Sequence, residues 1–475
     1  MEEHEMDLVE DQEQIKIEKK REQMLTQPVE RLVCKMAVPT IISMMVTSFY
    51  NLADTFFVGR LNSNSATGAV GVVFALMAVI QAFGFFFGHG SGNYISRAIG
   101  KGHYEKASKM AATGFFSSIF VGILMMILGL CFQIPLARLL GATDTMMTDT
   151  LAYMRYILIG TPYMIAAFVL NNQLRLQGNS LFSMIGLVSG AVVNIALDPL
   201  LIFTFGMGVA GAALATIISQ LLSFIVLFIG CQRSSNVSIR WKNFTPKKDY
   251  YFEIIGGGLP SLGRQGLASI SMLLLNNFAG FYGDAAIAAF SVVTKITNIA
   301  GSVILGFGQG FQPVCGFNYG ARQYGRVKKA VWFSVKVSSV FQLAVAVGIY
   351  AFASQAVQLF RDDPQVIEIG SNALKYQCFS LPLLGFIILM NMFLQNIRKV
   401  VPASILAMAR QGLVFIPVLL ILSVTLHLWG LELAQPVADI ITFILAIPLS
   451  LPALRELKTG NADLELETSE EKIQE

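Results

Sequence analysis

Phe87-Gly88-His89-Gly90 and Phe307-Gly308-Gln309-Gly310 are one stretch met twice, each deep inside a long apolar run. The same offset of 220 residues relates Gly100 to Gly320, Tyr104 to Tyr324, Pro162 to Pro382 and Asn171 to Asn391, and Pro39 to Pro260 is off by one. Working outward, apolar runs fall at 33–58, 68–98, 107–132, 146–176, 180–205, 208–231, 253–282, 285–317, 327–350, 366–396, 402–425 and 432–454. Each is long enough for a helix across a hydrocarbon core of about 30 Å. Six runs precede the repeat point and six follow it. An even number of crossings brings the second half into the membrane from the same side as the first, so the repeat is parallel, with a pseudo-twofold axis along the membrane normal. The expected fold is an all-α integral membrane protein of twelve transmembrane helices in two six-helix bundles around a central cavity.

Composition agrees. Charged residues are 13% of the 475, hydrophobic ones 54%, and mean hydropathy is +0.61. A soluble domain is about 25% charged, so soluble enzymes and nucleic-acid binders are excluded. The net charge of +4 comes mainly from short loops. Lys101, Lys106 and Lys109, then Arg240, Lys242, Lys247 and Lys248, then Arg322, Arg326, Lys328 and Lys329, then Arg398 and Lys399 all fall on one side, which the positive-inside rule makes cytoplasmic. The reading is a tail over 1–32, a first lobe over 33–231, a basic linker over 232–252, a second lobe over 253–455 and a tail over 456–475, with both tails cytoplasmic and solvated. The first residues lack the basic start and short apolar core of a signal peptide. The five cysteines form no C-x-x-C pair and read as small buried hydrophobes.

A charge in hydrocarbon costs about 2.5–3.5 kcal/mol on insertion scales, so each one there needs a reason. Asp54 and Asp198 are the clear carboxylates of the first half, each roughly 6–11 Å below the outer surface at 1.5 Å per residue. Asn194 lies one turn from Asp198 on the same face, and Thr216 sits at similar depth in the sixth run. Two carboxylates held close in a poorly solvated place repel, which favours a proton on one of them. The same carboxylates, amide carbonyl and hydroxyl also suit a hard cation such as Na⁺. Sequence leaves both couplings open, beside a plainer reading in which Asp198 caps broken backbone at Pro199.

The second half carries the opposite sign, with Arg264, Lys295, Lys375 and Arg410 in its runs. Arg264, Gln265 and Lys295 are candidates for polar groups of the cavity. For Lys295 and Arg410, reaching an interface or pairing with a helix carbonyl is the favoured reading. Pro162, Pro199, Pro382 and Pro417 lie inside apolar runs and mark either fixed kinks or hinges. Gly84, Gly88 and Gly92, four apart, read as a packing stripe. No G-x-x-x-x-G-K-[ST], H-E-x-x-H or G-x-S-x-G occurs, so the chain is read as neither an ATPase nor an enzyme, and no cofactor or resident metal is expected.

Asp54-Thr55-Phe56-Phe57-Val58-Gly59-Arg60, Leu174-Arg175-Leu176-Gln177-Gly178-Asn179, Asn194 through Asp198-Pro199, Gly211-Ala212-Ala213-Leu214-Ala215-Thr216, and Gly258-Leu259-Pro260-Ser261 with Arg264-Gln265 occur in that order. Together they resemble the multidrug and toxic compound extrusion (MATE) family over about residues 28–455. The resemblance implies a bacterial inner-membrane antiporter. Such a protein exports cationic, aromatic, lipophilic compounds in exchange for H⁺ or Na⁺ by alternating access. It would act as a monomer in the bilayer, with small-molecule drugs and no nucleic acid as partners. It also implies a cation site in the first lobe at Asp54, Asn194, Asp198 and Thr216. Two departures stand out: Asn62 replaces the glycine expected after Arg60-Leu61, and Arg264, Gln265 and Ala268 stand where a sodium-coupled branch keeps an acidic residue. A lipid-linked oligosaccharide flippase and an exporter of anionic metabolites share the general architecture.

Overall fold

Apolar runs punctuated by Gly, Pro and short polar turns become helices here, because in hydrocarbon the backbone must satisfy its own hydrogen bonds. The computed structural model describes residue 15 and residues 18–61, 63–233 and 237–474, with backbone alone at Asn51, Leu52, Thr55, Asn64, Thr67 and over 460–474. Asn62, like residues 1–14 of the tail and 234–236 of the linker, lies outside the described residues. The long helices are α1 (Val29–Gly59), α2 (Asn64–Gly100), α3 (Tyr104–Cys131), α4 (Met147–Leu176), α5 (Ser180–Thr204) and α6 (Gly208–Arg233). A second set follows: α7 (Lys248–Gly280), α8 (Asp284–Gly320), α9 (Tyr324–Ala351), α10 (Pro364–Asn396), α11 (Val400–Thr425) and α12 (Leu428–Gln474). Eleven are long and apolar enough to cross a membrane; α7, at 33 residues, differs in composition, carrying Lys248, Asp249, Glu253 and Arg264. Outward faces are apolar. Phe120, Ile123, Leu124, Ile127 and Leu128 on α3 and Val340, Leu343 and Val347 on α9 are all exposed, as a surface solvated by lipid requires.

The repeat holds where the sequence no longer shows it. The turn after α2 uses Gly102 at φ +78°, and the turn after α8 uses Arg322 at φ +58°, 220 residues on. Gly178 (φ +80°) and Arg398 (φ +67°) match in the same way after α4 and α10. Asn171 Nδ2 donates to the Ser183 carbonyl at 3.0 Å, and Asn391 Nδ2 donates to that of Ala403 at 2.7 Å, so one amide clamps each of these turns. Between α2 and α4, a Cβ on Gly84 would lie 2.5 Å from Phe168 Cβ, one on Gly88 2.9 Å from Asn172 Nδ2, and one on Gly92 against Leu176. The stripe is a packing seam, each glycine facing the residue 84 further on. Gly84→Val is expected to cost about 1–3 kcal/mol through overpacking, read as a lower midpoint of detergent-solubilised unfolding. An unchanged midpoint would contradict this account of the seam.

The chain folds as two compact units, and their border does not follow the linker. One holds the described residues up to Gln27 and Val38–Leu262; the other holds Pro28–Ala37 and everything from Gly263. The lobes read as 33–231 and 253–455 therefore each give up the start of their first helix. Within the first unit, the start of α7 packs on α2: Gly90 meets the Ile254 carbonyl, Gly258 meets the Phe86 carbonyl, and Arg97 pairs with Glu253 at 2.9 Å. Within the second, the start of α1 packs on α8, where Gly310 meets the Ala37 backbone. Glycine is needed at these points because main chains touch. Residues 18–26 form a helix that docks rather than floats as a solvated tail. Arg21 donates to the Gly100 carbonyl from Nε and Nη2 at 3.1 and 3.0 Å, Lys20 bonds Asn179, and Met24 is buried.

Candidate functional site

Pro199 has no N–H, so the α-helical ladder of α5 cannot continue through it, and the chain goes on as a π turn over Leu200–Thr204. That turn closes through Phe205 N to the Leu200 carbonyl (3.0 Å) and Met207 N to that of Leu201 (3.1 Å). Gly211, near the start of α6, sits against it; a Cβ there would be 2.7 Å from the Leu201 carbonyl oxygen. This close approach brings α6 beside α5 one turn before Thr216. Asp198 is fully buried, and Asn194, Thr216 and Asp54 are buried with it.

Asn194 Nδ2 donates to Asp198 Oδ1 at 3.5 Å, and Thr216 Oγ1 donates to the Ala212 carbonyl at 3.1 Å. Among the described residues, Asp198 caps no backbone donor. Three oxygens, Asp54 Oδ1, Asn194 Oδ1 and Asp198 Oδ2, are buried without a hydrogen-bond partner among the described residues. The two carboxylates are close enough to repel each other. Acceptors in this state call for a partner, which a proton, a cation or a buried water can supply, since an unmatched buried acceptor costs about 1–3 kcal/mol.

Three residues that the sequence reading did not single out complete the cluster. The Tyr50 side chain of α1 approaches Gln220 of α6, the Tyr153 side chain of α4 approaches Thr216, and both tyrosines lie within electrostatic reach of Asp54 and Asp198. Tyr153 is 1% exposed. A tyrosine in an apolar run gives no sequence signal of its own; only its hydroxyl's need for a partner could have flagged it. Tyr153→Phe is expected to weaken the site by about 1 kcal/mol, seen as a severalfold rise in the ion concentration for half-maximal transport. An unchanged ion dependence would remove Tyr153 from the cluster.

The second unit holds no such acceptor set among these candidates. Arg264 and Gln265 are half-buried on α7 and Lys295 is exposed on α8; all three belong to the second unit, whereas Asp54, Asn194, Asp198 and Thr216 belong to the first. Among the described residues, the partner of Arg410 is a carboxylate rather than a carbonyl. The arginine sits on a π turn over Ala409–Leu413 and its Nε donates to Asp439 Oδ1 at 2.9 Å. Gln435 donates to the same oxygen at 2.9 Å and Ser380 Oγ to Oδ2 at 3.2 Å, so the fully buried Asp439 is spoken for. Pro162 and Pro382 lie inside unbroken α4 and α10, Pro199 ends the α-helical part of α5, and Pro417 lies in the last part of α11. Among the described residues, no group of three or more His, Cys, Asp or Glu side chains is placed to hold a metal ion.

Two copies of the MatE family model match the chain, over residues 39–200 and 260–421. The chain belongs to the MATE family. The two matches begin 221 residues apart, within one residue of the offset seen in the glycine and asparagine pairs. The chain is 30% identical over 431 residues to the multidrug export protein MepA of Staphylococcus haemolyticus, covering 90% of this chain and 94% of that one. Two solved MATE structures, each at 28% identity and a TM-score of 0.87, are similar over 92% of this chain. One is a MATE protein in complex with MaL6, matched over 99% of its length, and the other an outward-facing multidrug resistance MATE transporter, matched over 98%. This MATE protein is accordingly a multi-pass membrane transporter, not an enzyme.

Proposed function

We propose that this MATE transporter is a multidrug efflux antiporter that exports cationic, aromatic, lipophilic compounds in exchange for H⁺ or Na⁺, with Asp54, Asn194, Asp198 and Thr216 as the coupling site. The observation that carries the reading is the convergence of two carboxylates with three unmatched buried oxygens in one lobe. Loading a proton or Na⁺ there removes the carboxylate repulsion and supplies the missing partner, so the loaded and empty site favour different packings of α1, α5 and α6. The prolines of α4, α5, α10 and α11 are the candidate hinges for that change. The similarity to MepA supports drug-like cargo. Loop lysines and arginines support both termini on the cytoplasmic side of a bacterial inner membrane. One charge moving down 150–200 mV releases about 3.5–4.6 kcal/mol, enough for a drug gradient of roughly 300- to 2,000-fold. Ethidium movement in reconstituted vesicles, with proton and sodium gradients imposed separately, tests this. Export driven by one gradient names the ion, and no export under either defeats the antiport reading.

A further inference from the structure

Helix α9 carries Lys328, Trp332 and Lys336 at four-residue spacing, so all three share one face. Lys336 lies about 12 Å further along the helix than Lys328, well into a stretch otherwise apolar. Lys336 and Trp332 are exposed, and neither Lys328 nor Lys336 has a hydrogen bond or ion pair among the described residues. With Lys329 and Phe333 of α9 and Glu30 of α1 they line an open cavity of about 440 Å³. Glu30 is matched by Lys329 at 2.9 Å, which leaves Lys328 and Lys336 as two uncompensated cations around an aromatic ring.

The equivalent face of the first unit is closed by the chain itself. Lys328, Trp332 and Lys336 correspond to Ser108, Ala112 and Phe116 of α3. There Phe116 is covered by Trp241 and Phe244 of the linker, at ring distances of 4.8 and 5.9 Å, and Thr113 bonds the Thr245 carbonyl at 3.2 Å. The fold therefore does not require lysines on this face, and among the described residues no ring contact covers Trp332.

We propose that this cavity binds the phosphate headgroup of an anionic phospholipid, with Lys328 and Lys336 on the phosphate oxygens and Trp332 against the glycerol and upper acyl chain. Basic pockets at the interfacial ends of transmembrane helices suit such headgroups, and a tryptophan seats its amphipathic ring at that depth. A free phosphate ion would have no use for the apolar wall or for a lysine this far down the helix.

Full-length protein in detergent, titrated with cardiolipin, phosphatidylglycerol or phosphatidylcholine and followed by native mass spectrometry, tests the site. Wild type is expected to bind the two anionic lipids at least tenfold more tightly than phosphatidylcholine. K328Q/K336Q loses that preference, K328R/K336R keeps it, and K242Q/K247Q on the linker leaves it unchanged. Equal binding of the neutral lipid by wild type, undiminished anionic-lipid binding by K328Q/K336Q, or complete displacement of lipid by millimolar inorganic phosphate each overturns the proposal. The wild-type comparison between lipids decides the matter even if the glutamine variant fails to fold.

Discussion

In vesicles energised by the coupling gradient, Asp198→Asn is expected to lower the initial rate of drug export at least tenfold and to collapse the steady-state drug ratio toward one. The change is nearly isosteric and replaces a fully buried carboxylate by an amide with no charge to titrate or to hold Na⁺. Asp54→Asn removes the other member of the pair and is expected to act in the same direction, while the double variant should be little worse than either single one, because residues working as a unit are non-additive. Folding is not expected to suffer, since relief of carboxylate repulsion offsets the lost interactions with Asn194. Downhill movement of drug without a gradient is expected to survive, which separates coupling from substrate binding. Asp144→Asn, an exposed residue paired with Arg138, serves as a control and should transport normally. Gradient-driven export that persists with asparagine at both Asp54 and Asp198 would remove the site from the mechanism.

Arg410→Met is expected to destabilise the protein by about 3–5 kcal/mol, the largest stability effect we foresee. The substitution leaves Asp439, fully buried, with only Gln435 and Ser380 among the described residues to answer its charge. Adding Asp439→Leu should restore most of the loss, because an apolar pair of similar volume avoids the desolvation that the ions must bear. A double-mutant cycle on denaturation midpoints in one detergent gives the coupling directly. A single variant as stable as wild type would mean that the pair contributes nothing. Transport by the rescued double variant then reports whether the pair serves stability alone.

Much of the fold is legible in the sequence, because the bilayer enforces it. Apolar length fixes the helices, and the glycines and asparagines fix the repeat offset, since Gly90 and Gly310 sit where backbones touch, Gly88 and Gly308 where a side chain packs close, and Asn171 and Asn391 where a turn is clamped. Asp54, Asn194, Asp198 and Thr216 stand out because charge and amide groups in hydrocarbon are costly enough to need a reason. Tyr50 and Tyr153 do not, since an aromatic ring in an apolar run has the same signature whether it faces lipid, core or a carboxylate. The pairing of Arg410 with Asp439 depends on the relative rotation of two helices, altered on one side by a π turn that no local motif announces. Which unit the first turns of α1 and α7 join is equally silent, because Gly90, Gly258 and Gly310 reveal a close approach but not its partner.

That exchange of helix starts makes the protein a swapped dimer written as a single chain. Residues 28–37 complete the second unit and residues up to Leu262 complete the first, so each half lends its opening turns to the other. A cut in the linker between α6 and α7 would not release two finished domains. It would produce two fragments, each missing a strip of its own core and carrying its neighbour's, and they would be competent only when made together.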